Sequence, residues 1–366
     1  MKSNIRLNRV ILAGLPKIYG LDKYEGATAF DIFSSGEVIH TVAQSRHLLG
    51  IGDDVDGADY PKVLSAALAT GNTAAKEIAM DLGRRLGIIL WVMKTASSAT
   101  REANSWYDDG EWLAWINARK IFLTGGLASP CLGDELAKYA MELLQELGVK
   151  DMEVIPGKYP SQAPLIAAAR FNKEDCSSSL VLDFGHTFVK AGVAMYDGDR
   201  VTGIRPLEKV PSRFMGKGYS SADEELLEAK ELHGFIADVI EGHYRANLCD
   251  GFSHHVVISI ANNVENGRIG SGGCYYKLQL LGDVYRDVLM MELSHRLGHD
   301  VDVTLLHDGY AAAMCFAGEQ DAIQIALGTA FGVGFPEELP WLKKVDIEEY
   351  GPTNIKSPSC KFYARV

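Results

Sequence analysis

Hydrophobic and polar positions along this chain alternate between two regimes: long stretches of helical period, and short apolar runs that end in glycine, aspartate or asparagine. Residues 1 to 20 read as a β-segment and turn, and residues 27 to 50 as the start of a helix. Between Tyr60 and Thr95, Leu64, Leu68, Ile78, Leu82, Leu86 and Ile89 recur at helical spacing, which predicts two helices broken at Gly71-Asn72. Residues 96 to 115, with Ser97, Ser98, Asp108, Asp109 and Gly110, are harder to place by pattern and leave room for a loop. From Ala118 the pattern turns α/β: a buried strand over Ile121 to Thr124, the pair Gly125-Gly126, a helix over Cys131 to Leu147, a strand over Met152 to Ile155 and the small-residue helix APLIAAARF. The run NKEDCSSS at 172 to 179 reads as a linker.

The second half opens on LVLDFGHTFVKAG, residues 180 to 192, which predicts a strand, a tight polar turn and a second strand. Residues 201 to 222 add an extended segment and a Gly216-Lys217-Gly218 loop, before a helix from Ala222 to Cys249. A buried strand over Val256 to Ile260 precedes Asn262-Asn263, and a helix is predicted from Leu278 to Leu297. The strand Val301 to Leu306 runs into His307-Asp308-Gly309 and a small-residue helix, and the strand Ala322 to Ala326 ends at LGTAFGVGF. The tail to Val366 is polar and takes no assignment from its pattern.

At 366 residues the chain exceeds one ordinary core, so two domains are expected. A net charge of −12 argues against nucleic acid and against an anionic membrane as partners. The amino-terminal apolar run is too short for a signal peptide and no apolar run of about 18 residues occurs, so a cytoplasmic protein is expected. The six cysteines are scattered without ligand spacing, and His233 and His243 lie ten apart on different helix faces, so no structural metal site is predicted.

The candidate chemistry sits where strands end. A carboxylate at a strand end, followed by a glycine and a hydroxyl in a turn, suits a magnesium-bound phosphate, and Asp183-x-Gly185-His186-Thr187 has that form. An ordinary hairpin with a surface Asp fits the same residues. Gly125-Gly126 between strand and helix makes a seat for a nucleotide. Asp308 reads as a catalytic group or as a helix N-cap. His307 reads as a contact for a substrate hydroxyl or as a turn stabiliser. Asn262 and Asn263 could donate to hydroxyls or allow a left-handed turn, and Lys190 could reach a phosphate, although its alternation favours a solvated strand face. Tyr275, Tyr276 and Lys277 read as a pocket rim or as packing.

Jointly, Asp183-x-Gly185-x-Thr187, His307-Asp308-Gly309-Tyr310-Ala311-Ala312-Ala313, Leu327-Gly328-Thr329-x-x-Gly332-x-Gly334 and Gly125-Gly126 resemble the ROK family of sugar kinases and regulators, in the actin and hexokinase-like ATPase superfamily. The family's order is rotated here: the element like its opening D-x-G-G-T lies at 183, after the one like its closing G-G-G at 125. The resemblance therefore implies a circular permutant with two ribonuclease H-like lobes around a nucleotide cleft. Residues 1–170, completed by 320–366, would resemble the family's carboxyl-terminal half, and residues 177–319 its amino-terminal half.

The departures are specific. His186 replaces a second glycine, Ala330 and Phe331 crowd a usually small phosphate loop, and His307 stands for an asparagine. The family's G-E-x-G-H sugar motif and its zinc loop are absent, leaving Asp31 as the acidic residue that would touch the sugar. What the resemblance implies is ATP and magnesium as cofactors, Asp183 holding the ion through water, and Gly185, His186, Thr187, Gly328, Thr329 and Gly332 clasping phosphates. Gly125 and Gly126 would seat the nucleoside, Asp308 would act as base, and a sugar or polyol would be the acceptor. A sensor that keeps the fold without catalysis is the alternative, and the sequence leaves room for a homodimer.

Overall fold

The computed structural model describes residues 7–213 and 221–347, and the Gly216-Lys217-Gly218 loop and the tail beyond 347 lie outside them. The fold is mixed α/β and divides into two compact units, one of residues 2–163 and 312–338, the other of residues 164–311 with the segment from Leu339.

The first unit begins with helices. Where a β-segment is expected, residues 7–9 form a 3-10 turn, and a single bridge, Ile11 with Thr28, is the extended pairing there among the described residues. Helices α1 (Ala29–Ile32) and α2 (Ser35–Gln44) start at Thr28 and Ser34, whose hydroxyls accept the Asp31 and Glu37 amides. α3 (Tyr60–Ala69) and α4 (Thr73–Thr95) break at Gly71, φ 79°, and Asn72 caps α4 by accepting the Ala75 amide. The stretch at 96–115, hard to place from its pattern, holds α5 (Ser98–Ala103), a short connection and α6 (Asp109–Asn117), the last opened by an Asp108–Glu111 capping box. Strand β1 (Lys120–Thr124), helix α7 (Leu132–Glu146) and strand β2 (Glu153–Pro156) follow. α4 and α7 meet at Gly83 and Gly87. A Cβ on Gly83 would stand 2.6 Å from the Tyr139 Cβ, so the missing side chain is what lets the helices approach.

Helix α8 (Ala163–Arg170) leads into the second unit, and strands β3 (Ser178–Phe184), β4 (Phe188–Asp197), β5 (Arg200–Pro206) and β6 (Val210–Pro211) follow. The expected linker at 172–179 is built in. Asn172 is 3% exposed and donates to the Ser253 hydroxyl at 2.9 Å, and β3 already begins at Ser178. Helix α9 (Ala222–Asn247), strands β7 (His255–Ile260), β8 (Asn262–Glu265) and β9 (Arg268–Gly273), helix α10 (Tyr285–Leu297) and strand β10 (Asp302–His307) complete the middle of the chain. The helix expected from Leu278 is divided: Tyr276–Leu281 is 3-10, and the α-helix starts only at Tyr285. After α11 (Asp308–Ala313) come β11 (Ala322–Ala326), β12 (Gly332–Gly334) and the short β13 (Lys344–Val345).

The first unit's sheet runs β12-β11-β1-β2, with β11, β1 and β2 parallel. The second unit's sheet runs β10-β7-β3-β4-β5-β13, with β6 beside β4. Strands β3, β4 and β5 form an antiparallel meander, while β3, β7 and β10 are parallel. β3 and β7 are buried along their whole length, as strands covered on both faces must be, and Leu180, Leu182 and Ile258 share a core with Leu232, Ile236 and Ile240 of α9. The segment after Leu339, which the sequence places with residues 1–170, joins the second unit. Lys343 donates to the Arg170 carbonyl and β13 pairs with β5. No helix among the described residues is long and apolar enough to cross a membrane.

Candidate functional site

In a sheet with parallel strands, side chains at the carboxyl ends gather at one edge, where open α/β sheets place their ligands. Register sets which residues meet. Asp183 of β3 lies beside Ser259 of β7, and Ser259 lies beside Leu306 of β10, so that Phe184, Ile260 and His307 form the next row. Asp183, Ser259 and the His307-Asp308 step therefore stand side by side on the second unit.

Asp183 is 5% exposed. The Ser259 hydroxyl donates to its Oδ1 at 2.6 Å, and the Lys190 ammonium donates to its Oδ2 at 3.3 Å. Lys190 is the direct cross-strand partner of Asp183 on β4, so the solvated strand face that its alternation favours is replaced by an ion pair over a buried carboxylate. Counting outward from the turn at 185–187 pairs 183 with 190, a signal present in the sequence. Ser259 was legible only as a polar break in an apolar strand.

Asp308 opens α11, but its Oδ1 accepts the amide of the adjacent Gly309 at 2.7 Å, a contact too local to cap the helix. The cap is His307, whose Nδ1 accepts the Tyr310 amide at 3.2 Å. That bond assigns the hydrogen of a neutral ring to Nε2, which stands 3.2 Å from Asp308 Oδ1. His307 thus stabilises the turn through Nδ1, while Nε2 faces Asp308. The Asp308 carboxyl is held above the usual carboxylate range, first by the desolvation that surrounding protein imposes and then by the charge of Asp183. His307, the Gly309 amide and Lys190 pull the other way. Burial likewise pushes the neighbouring Cys274 thiol upward, and the charge of Asp308 adds to it.

The turn after Asp183 leaves Gly185 half-buried and His186 and Thr187 exposed. Asn262, expected as a hydroxyl donor, is 2% exposed and occupied. Its Nδ2 donates to the Gly270 and Asn263 carbonyls at 3.0 and 3.2 Å, and its Oδ1 accepts the Tyr275 amide at 3.0 Å. It thus holds the β8–β9 hairpin to the segment that follows, while Asn263 remains half-buried beside it. Among the described residues no cluster of three or more His, Cys, Asp or Glu is placed to hold a metal. The oxygens of Asp183 and Ser259 still fit magnesium, which keeps most of its waters and takes few protein ligands.

The first unit gathers the remaining candidates at the ends of β1 and β11. The Leu327 amide donates to the Thr124 carbonyl at 2.7 Å, the Leu127 amide donates to the Leu327 carbonyl at 3.1 Å, and Gly125 and Gly126 lie between those anchors. Gly125 has φ 88°, and a Cβ there would stand 2.4 Å from the Leu327 carbonyl oxygen, so the chain's own packing demands this glycine. Gly126 has nothing within 4 Å of its Cβ position and is open to a ligand. Gly332 lies opposite Ala326 in the sheet. Gly328 is half-buried and Thr329 exposed, and Asn8 fixes the loop by exchanging two 2.8 Å hydrogen bonds with the Phe331 backbone. Phe331, expected to crowd that loop, turns into the core and stacks on Phe33 at 5.7 Å. The Asp31 carboxylate accepts both the amide and the hydroxyl of Thr28, which hold it below the usual range, so its first duty is capping α1.

No family model matches the chain, and no curated protein matches it. Among solved structures, a similar chain is that of an exopolyphosphatase-like protein, 13% identical over 64% of this chain and 86% of the other, with a TM-score of 0.28.

Proposed function

We propose that this protein is a phosphotransferase that moves the terminal phosphoryl group of ATP to a hydroxyl of a sugar or similar small polyol, on a ROK-like fold whose motif order is rotated. One observation carries the reading. Parallel strands of the second unit end side by side in Asp183, Ser259 and His307-Asp308, next to a turn in which His186 and Thr187 are exposed. The strand order β10-β7-β3-β4-β5, meander on one side and parallel on the other, supports it, being the order of a ribonuclease H-like lobe.

Phosphoryl transfer asks a protein mainly for positioning and for neutralisation of charge. Magnesium, when bound, would neutralise phosphate oxygens, and Asp183, steadied by Ser259, is the residue that would hold it through water. Lys190 brings a cation to the same carboxylate. Asp308, its proton affinity raised, would take the proton of the acceptor hydroxyl. Gly125, Gly126, Gly328, Thr329 and Gly332 of the first unit stand on this reading as the nucleotide-binding candidates, with Gly126 the one that packing leaves open.

A second reading, a nucleotide or sugar sensor without catalysis, is favoured by a separate observation: Asn262, His307 and Asp31 all direct polar atoms to their own chain. Two measurements separate the readings. ADP release across a sugar panel should depend on an acceptor and fall about 100- to 10,000-fold in Asp308→Asn, with binding of magnesium and ATP retained. Nucleotide binding without any acceptor-dependent turnover would leave the sensor, and no binding at millimolar nucleotide would sink both.

A further inference from the structure

The Gly185 carbonyl oxygen accepts two hydrogen bonds, one from the Tyr275 hydroxyl and one from the Ser212 hydroxyl, each 2.8 Å. At the other end of the turn the Ser212 amide donates to the Thr187 carbonyl at 3.0 Å. A carbonyl oxygen has two lone pairs, so the clamp on Gly185 is full. Every peptide among the described residues is trans, and a trans peptide sets its C=O and N–H on opposite sides. A Gly185 carbonyl drawn toward Tyr275 and Ser212 therefore turns the His186 N–H away from them. The sheet ladder ends at Phe184 and Val189, and the His186 and Thr187 amides have no acceptor among the described residues.

Tyr275 is anchored in turn. It is fully buried, its ring meets Phe184 edge-on at 6.3 Å, and its amide is held by Asn262. A buried phenol is costly without a partner, and the partner here is one carbonyl of an exposed turn.

We propose that Tyr275 and Ser212 are positioning residues that lock the 185–186 peptide so that the His186 amide stays aimed at a phosphate oxygen. The proposal rests on the phosphate reading of the Asp183 turn. Two bonds on one carbonyl must break together for the peptide to flip, so the donor remains set before the ligand arrives and ordering it costs the ligand little.

The test uses the full chain with Tyr275→Phe, Ser212→Ala and the double variant, titrated calorimetrically with magnesium and inorganic tripolyphosphate while the His186 and Thr187 amide signals are followed by NMR. Each single variant should bind roughly two- to tenfold more weakly. The double variant should lose more than either single one, its His186 signal should no longer respond, and Ser212→Thr, which keeps the hydroxyl, should bind as wild type does. A double variant that binds like wild type with an unchanged His186 response overturns the proposal, as does a loss of affinity that merely tracks the folded fraction. If wild type binds no tripolyphosphate, the phosphate reading of the turn falls. The clamp is then decided in the free protein, where the His186 amide should be rigid in wild type and mobile in the double variant, and equal mobility rejects it.

Discussion

Asp183 and Asp308 were legible as single letters because each lies within one residue of the end of an apolar run and within two residues before a glycine, a position that places a carboxylate near a strand end whatever the details of packing. The fate of their neighbours was not. Asn262 and His307 have the right chemistry for a sugar, yet buried amides and ring nitrogens seek partners first in their own chain, and only coordinates tell whether any capacity is left. His255 makes the same point far from the strand-end site. It is 1% exposed, its Nδ1 accepts the Lys173 amide at 3.3 Å, and its Nε2 stands 2.8 Å from the Thr304 hydroxyl, an arrangement for a neutral ring. Burial depresses its pKa, with Lys173 acting in the same sense and Asp302 and Glu174 opposing. The unfolded chain then binds the proton first, at about pH 6.5. Stability should be whole above that pH and decline as pH falls toward the folded value, by at most about 1.4 kcal/mol per unit for this group. Urea midpoints compared between pH 7.5 and pH 5 should show a shallower decline in His255→Gln than in wild type, and equal slopes would remove His255 as the cause.

Helices and strands of strong period were readable almost to their ends, α4 and β7 among them, because burial of one face or of both writes itself into the spacing. Contacts between elements were less so. Gly83 reads as an ordinary weak point in a helix, whereas it is the gap into which Tyr139 and Leu136 of α7 pack. Gly83→Ala should therefore cost about 1–3 kcal/mol despite the better helix propensity of alanine. Gly234→Ala, at a site of α9 with nothing within 4 Å of the added carbon, should instead stabilise by about 0.5–1 kcal/mol. Thermal melts of the two variants should move in opposite directions, and a common direction would contradict the close approach of α4 and α7. The run at 172–179 misled for a related reason: polar letters that suggest a linker are here the donors and acceptors that close β3 against residues 251 and 253.

For the whole molecule, length points to two domains and period to the α/β alternation, but the return of the segment after Leu339 to the second unit leaves no local mark, because it rests on long-range pairing. β11 lies between β12 and β1, so an interior strand of the first unit's sheet comes from residues 322–326, after the second unit has been almost entirely laid down. A fragment of residues 1–163 should fail to unfold cooperatively, whereas residues 164–347 should show a folded core by near-ultraviolet dichroism, and a cooperative 1–163 fragment would contradict the dependence on β11. The same connectivity has a consequence for synthesis on the ribosome. The first 163 residues emerge first yet must wait, with the edge of β1 unpaired, while the middle of the chain folds as an insertion. The cell must shield that waiting edge from other chains for most of the time of translation, and slow or interrupted elongation before residue 322 should send this protein to aggregates rather than to a truncated but folded product.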